Sequence, residues 1–569
     1  MLTTSNSLEF PAVDLRSPAF VMRSERLGAF HQSRLSFLRA MLRDLQRDRW
    51  RFERTLWDID DRGVGVCVYA ARGPQRTYSL VCFSHDLDPS MRTDRVIAEA
   101  WDATFALFDG EPAQADIERM AANIPRQEAG RCSDSELVLS RANRSVRLFE
   151  HAVDRLASGT QPDPDLVEST GYLMRTTAVY GNGKFGLADR ERIADRAEFA
   201  GPFRAEMLTV WLIRTFTVDL VEHLARCRAP DQAVRFAGNL RRRFGVGNST
   251  GLGMAPFLIK HPVLLHRWFE AKETALARVR AVKSASKAEC DHFIRALRGV
   301  RAGLRFWHTD DEIQHARIQT LTADLHRLEQ EVQQHFQQKS PWDRIHRWAE
   351  SNLSVEGQEV LASIVLEPYG RLVDELSESM AADEDRAFRI DGTQSNDEVR
   401  RLIERIYDWA LSIDFHKAEA QARFWYVSEE KLEPRLGERA EESGGDLEQP
   451  LAVGRDMARF HAALADRKGG TLASFLLERP EFRHVARRMS IAAQYPYGEI
   501  RENLIGANFR PVDLLRCKLS FFGATRFDPR SDRWLRITLF QGAPYPDELT
   551  VERNEEAWVY AGARQWEAA

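Results

Sequence analysis

Hydrophobic positions along this chain repeat with two different periods. Between residues 22 and 50, Leu35, Leu38, Leu42 and Leu45 recur at helical spacing with arginines on the other face, which predicts an amphipathic helix. The period then shortens. Arg54 to Ile59, Val64 to Ala71 and Thr77 to His85 are β-rich runs separated by Asp60-Asp61-Arg62-Gly63 and Arg72-Gly73-Pro74-Gln75, the pattern of an antiparallel meander with tight turns. Asp94 to Phe108 fits a strand or a helix. Helical patterns are read at 134–158, 163–178, 231–243 and 255–283. A nearly all-apolar helix is read from Pro202 to Arg226, through Met207, Trp211, Leu212, Phe216, Leu220 and Leu224.

A long, highly charged helical region follows at 286–380, with Leu321, Leu325, Leu328 and Val332 on one stripe. It reads as a solvated arm or a dimerisation arm. Helices at 395–411, 452–466 and 480–492 come next. An aromatic strand at 422–427, a Glu- and Gly-rich surface loop at 438–450 and two late strands near 516–522 and 533–540 complete the chain. The expected fold class is α+β, predominantly α-helical with two small antiparallel β units. Four parts are expected: an N-terminal helix plus meander (1–130), a helical core with two Gly-rich loops (131–285), the charged arm (286–392) and a C-terminal α+β part (393–569).

Composition narrows the class. A formal net charge of −5 from 80 basic and 85 acidic residues argues against the concentrated basic face of a nucleic-acid or membrane-surface binder. No apolar run approaches the roughly 18 residues of a membrane span, and the N-terminus lacks a signal-peptide pattern, so a cytoplasmic location is expected. The six cysteines are scattered without CxxC pairs, as buried thiols in a reducing compartment would be. HExxH, GxSxG and kinase signatures are missing, and the histidines at 308, 315, 326 and 335 lack carboxylates at ligand spacing. Neither a metal nor a cofactor is expected.

Candidate chemistry gathers on two Gly-rich segments. Thr176 to Arg190 contains Gly181-Asn182-Gly183-Lys184-Phe185-Gly186, which matches GxGxxG without the βαβ flanks of a dinucleotide fold. What remains is Lys184, a cation on a glycine-backed loop beside Tyr180 and Asn182, suited to pairing with an anion or, if buried, to acting as a base. Gly245 to Gly253 offers Asn248, Ser249 and Thr250 just before an expected helix near Met254, where free N–H groups favour an anion or Ser249 and Thr250 form a plain cap. The two loops are expected to meet over a small molecule. Further along, Trp425, Tyr426, Glu433 and Arg435, and then Tyr495, Tyr497, Glu499 and Arg501, combine large rings with acid and guanidinium groups. Each cluster reads equally as packed aromatics with structural ion pairs.

The glycine loops and the Trp-Tyr…Glu-Pro-Arg segment, over residues 170–260 and 420–510, resemble proteobacterial cofactor-independent γ-formaldehyde lyases that act on lignin-derived dimers such as phenylcoumarans. That resemblance implies a carbon–carbon lyase of aromatic-compound catabolism. A phenolate would drive a quinone-methide-like state, Lys184 or Glu433 would take the alcohol proton, and tyrosines with Arg435 would steady the phenolate. The expected protein is thus a metal-free acid–base enzyme for a small aromatic or anionic substrate, with Lys184, Glu433 and Tyr180 catalytic and the remaining residues binding. A homodimer through the 286–380 arm is a further expectation. The competing readings are a non-enzymatic helical scaffold or regulatory protein and a nucleotide-dependent transferase.

Overall fold

The computed structural model describes residues 14–88, 101–123, 133–176, 193, 195–201, 203–250, 261–305, 307, 309–335, 341–381, 388–417, 420, 424–427, 434–437, 447–448, 453–467, 469–502, 513, 516–529 and 535–549. Twelve strands are found among them. They are β1 (Arg51–Ile59), β2 (Gly65–Arg72), β3 (Thr77–Ser84), β4 (Ala103–Asp109), β5 (Glu136–Arg144), β6 (Tyr172–Thr176), β7 (Gly245–Thr250), β8 (Phe424–Val427), β9 (Pro434–Gly437), β10 (Leu447–Glu448), β11 (Ala524–Pro529) and β12 (Leu535–Leu539). Nine of them make one mixed sheet in the order β1-β2-β3-β4-β5-β6-β7-β12-β11, with β6 and β7 parallel and the other neighbours antiparallel.

This overturns the expected predominantly helical fold with two small β units. The N-terminal meander and the late hairpin are opposite ends of a single sheet, joined through β4 to β7. The joining strands escaped notice for physical reasons. β5 (ELVLSRANR) is buried at nearly every position, so it lacks the alternation of a half-exposed strand, and its apolar run passes for a helix. β6 (YLMRT) is buried throughout as well. β7 (GVGNST) looks like a loop because of its glycines. Those glycines make room instead: a Cβ on Gly247 would lie 2.7 Å from Arg175 Cγ and 2.8 Å from Tyr172 Cγ on the neighbouring strand. Likewise the late run at 518–522 is a short π-helical turn, and its pairing begins only at β11.

Helices cover both faces of the sheet. The helices referred to below are α1 (Phe37–Arg47), α2 (Gln114–Asn123), α3 (Phe149–Ala157), α4 (Arg204–Arg228), α5 (Pro262–Arg280), α6 (Lys287–Leu304), α7 (Glu312–His335), α8 (Pro341–Asn352) and α9 (Val355–Ile364), and the last five pack beside the sheet layer on one another and on further helices. On one face α2 closes a small core of Val68, Val81, Ala106 and Leu139. On the other, α4 runs beneath β3 to β7, with Phe216 edge-on to Phe105 and Trp211 edge-on to Phe52. Because α4 leads from β6 to the parallel β7, the three form a βαβ crossover.

The charged region is not an arm whose stripe awaits a partner. Leu321, Leu325, Leu328 and Val332 of α7 are all buried within the chain, where α7 packs on α6, α8 and α9. Each such burial contributes about 1.5–3 kcal/mol. The N-terminal segment is tied to these helices by buried ion pairs. Glu359 accepts from Arg16 (2.8 Å), Arg26 (3.1 Å) and Lys272 (2.6 Å), and Glu367 accepts from both terminal guanidinium nitrogens of Arg39 (2.7 and 2.9 Å).

Candidate functional site

On α4 the residues Leu212, Thr215, Asp219, Glu222 and Arg226 follow at three- and four-residue steps, so they share one face. That face meets the outer edge of the sheet at Phe52 and Arg54 of β1 and Tyr69 of β2. A turn at Pro546–Glu548 forms a third wall. Between them lies a cleft of about 300 Å³. Phe52 and Leu212 are apolar residues of its lining, and Tyr69, Asp219 and Glu222 are among its polar ones.

The turn is held in place by two arginines. Arg214, fully buried on α4, donates to the backbone carbonyls of Phe244 (2.6 Å) and Ala543 (2.8 Å) and lies 3.8 Å over the Tyr545 ring. Arg241 covers the other side of that ring at 4.0 Å and pairs with Asp547 at 2.8 Å. The cleft thus has a wall clamped from beneath.

Asp219 and Glu222 differ in surroundings. Asp219 Oδ2 accepts from the Tyr69 hydroxyl (2.7 Å) and from Arg54 (3.2 Å). Glu222 Oε1 accepts from the Phe236 backbone N–H (3.1 Å), and its other oxygen lies 3.9 Å from Arg235. Burial lifts both carboxyls above their ordinary range. For Asp219 the lift prevails over the opposing Tyr69 hydrogen bond and the Arg54 charge; for Glu222 it prevails over the Phe236 N–H. Burial, reinforced by Cys67 and Asp219, holds the Tyr69 phenol well above its usual range, so it stays a donor. Arg226 stands exposed at the rim. Its Nε donates to the Glu222 carbonyl at 3.4 Å, and no carboxylate among the described residues pairs with it.

These groups suit proton exchange with a bound anion: two carboxyls that keep protons closer to neutrality, a fixed phenol donor and guanidinium groups around them. As a purely structural device the arrangement is weak. A pair with a solvent-exposed guanidinium, such as Arg54–Asp219, contributes about 0–1 kcal/mol, little beside the apolar face that already seats α4.

The residues singled out in the sequence are distributed elsewhere. Tyr180, Asn182, Lys184 and Glu433 lie outside the described residues. Asn248 is buried in β7, its amide donating to Thr176 O at 3.2 Å. Ser249 and Thr250 stand in the same strand, in register with Arg536 and Leu535, and the helix expected near Met254 lies outside the described residues. β6 and β7 run parallel as neighbours, so Thr176 and Thr250, their last residues, lie toward the same end of the sheet. Trp425, Tyr426 and Arg435 lie in a small separate sheet, β10-β8-β9, where Tyr426 is in register with Arg435 and Trp425 with Leu436.

Tyr495, Tyr497 and Arg501 each have neighbours within the chain. Tyr497 stacks on His266 and donates to Arg16 O (2.6 Å), while Tyr495 meets His266 edge-on. Arg501 pairs with Asp408, and Glu499 is held bidentately by Arg488. Asp219 and Glu222 are not among the residues that stand out in the sequence. The available signal was two acids three residues apart inside the otherwise apolar run Val218-Asp219-Leu220-Val221-Glu222.

Among the described residues no group of three or more His, Cys, Asp or Glu side chains is placed to hold a metal ion, and no helix is long and apolar enough to cross a membrane. Comparison with protein-family models, curated proteins and solved structures finds no match to this chain, so the resemblance to γ-formaldehyde lyases rests on its sequence segments alone.

Proposed function

We propose that this protein is an enzyme that binds a small organic anion in the α4 cleft and moves a proton through Asp219 and Glu222. The observation that carries the reading is the pair of carboxyls with raised affinity for protons on one helix face, one of them held by a phenol, inside a cleft rimmed with arginines. Arg226, with no carboxylate of its own among the described residues, receives the anionic end of the substrate. Asp219 and Glu222 then face the reacting part. General acid–base help of this kind contributes roughly 10²–10⁴ in rate. The sequence-level lyase reading depends on Lys184 and Glu433; what carries over to this cleft is its substrate class, a small anionic or phenolic molecule.

The test is a thermal-shift screen of the full chain against organic acids, phenolic dimers and nucleotides, repeated with Asp219→Asn and Arg226→Ala. A ligand at a hundred times its Kd stabilises by about 2.7 kcal/mol. An organic acid or phenolate should stabilise the parent protein, and both substitutions should reduce that effect. A stabilising ligand indifferent to both would place binding elsewhere and end the proposal, as would stabilisation by nucleotides alone.

A further inference from the structure

A second cavity, of about 490 Å³, lies on another part of the sheet edge, between the end of α1, the turn joining β2 to β3 and the start of α4. It is independent of the α4 cleft: the two share no lining residue. Its apolar side is built from Met41, Leu45 and the indole of Trp50. Trp50 is seated by glycine, because a Cβ on Gly73 would fall 2.6–2.9 Å from the indole ring. Tyr78 stacks against the same indole at 6.1 Å and 12°, fixing its orientation.

The charges around this cavity do not cancel. Four carboxylates, Asp44, Asp48, Glu198 and Glu378, face three guanidiniums, Arg47, Arg76 and Arg204. Asp44 pairs closely with Arg204 (2.7 Å) and Arg47 (3.0 Å), and Asp48 pairs with Arg47 (3.0 Å). Those four groups neutralise one another. What is left is Glu198 and Glu378 against Arg76 alone. Glu198 lies 3.9 Å from Arg76, and Glu378 lies 3.9 Å from the already committed Arg47, both at the edge of ion-pair range. Among the described residues Glu198 is otherwise bonded to the neutral Tyr78 hydroxyl.

We propose that this cavity binds a small organic cation with an apolar body, an ammonium carried on a ring or short hydrocarbon. The surplus negative charge at Glu198 and Glu378 attracts the ammonium, and Met41, Leu45 and the indole of Trp50 receive the hydrocarbon. An anion of the same shape meets the surplus carboxylate and is rejected. The cavity volume falls within the range of small-molecule sites.

The experiment is isothermal titration of the full chain with phenethylammonium and, separately, with its near-isosteric anion 3-phenylpropionate. Saturable binding of the amine and none of the acid at equal concentration is expected. Glu198→Gln with Glu378→Gln should weaken the amine at least tenfold. Glu378→Gln alone, at a side chain 76% exposed, cannot unfold the protein and should weaken the amine several-fold. Asp219→Asn should leave amine binding unchanged, which separates this site from the α4 cleft. Comparable binding of the acid, no saturable amine binding, an affinity indifferent to both glutamine variants, or loss of amine binding in Asp219→Asn would each overturn the proposal.

Discussion

Replacing Glu359 by glutamine removes a negative charge from a place where three cations converge. Its carboxylate is fully buried and accepts from Arg16, Arg26 and Lys272 at 2.6–3.1 Å, with a further bond from Arg16 at 3.2 Å. Arg16 keeps a second partner in Glu273, at 2.8 Å through each of two nitrogens. Arg26 and Lys272 keep no other carboxylate of comparable closeness among the described residues. Breaking a buried pair by removing one member costs about 3–5 kcal/mol, because the survivor is left charged and dry. The new amide also turns an N–H₂ toward a cation. A loss of about 3–5 kcal/mol is therefore expected in urea unfolding, together with faster tryptic cleavage at Arg16, Arg23 and Arg26 as the N-terminal segment loosens.

Burial alone would raise the Glu359 pKa, yet Arg16 and Lys272 outweigh it and hold the carboxyl well below the usual range. Folding is thus favoured by its ionised form. That stability is fully present above the unfolded pKa of about 4.3 and is lost as pH falls from there toward the depressed folded value. The difference between parent and variant should shrink below about pH 4. A loss under about 1 kcal/mol at pH 7, the range of exposed pairs, would refute the reasoning.

Three further outcomes are expected. Gly247→Ala should cost about 1–3 kcal/mol in urea unfolding, because its Cβ meets Arg175 and Tyr172 across the parallel β6–β7 pair; a neutral result would dispute that register. Leu325→Ala should cost about 2–5 kcal/mol without changing the sedimentation coefficient, since that side chain is buried within one chain; a change in assembly state would point to an interface instead. Tyr69→Phe removes a donor that favours the Asp219 carboxylate, so the Asp219 pKa should rise further, and any acid limb of a pH–rate profile it controls should move upward. An unmoved limb would detach Asp219 from catalysis.

Elements with a clear period were legible in the sequence. β1, β2 and β3 are β-rich runs marked off by the turns at 60–63 and 72–75, and the buried helix anticipated from Pro202 to Arg226 is α4, displaced by two residues at each end. What could not be read was the middle of the sheet. In β5 and β6 both faces are covered, so polarity does not alternate, and in β7 the glycines that admit Tyr172 and Arg175 mimic a loop. The leucine stripe of α7 was recognised as apolar, but periodicity does not say whether its partner is another helix of the same chain. The cleft joins residues 52–69, 212–241 and 546–547, distant segments brought together only when β1 and α4 share a sheet edge. Charged residues also carry weak signals, since Asp219 and Arg501 look alike on paper. One edges a cavity; the other pairs with Asp408 beside a packed tyrosine cluster.

The acid–base reading of the α4 cleft is tested most directly by titrating Asp219 and Glu222. Carboxyl-carbon NMR, with assignments from Asp219→Asn and Glu222→Gln, would follow each group with and without the anion selected in the screen. Both carboxyls should titrate above the roughly 3.9 and 4.3 of free aspartate and glutamate, and the bound anion should displace both midpoints. Ordinary midpoints that the ligand leaves in place would contradict the claim that these groups handle the proton.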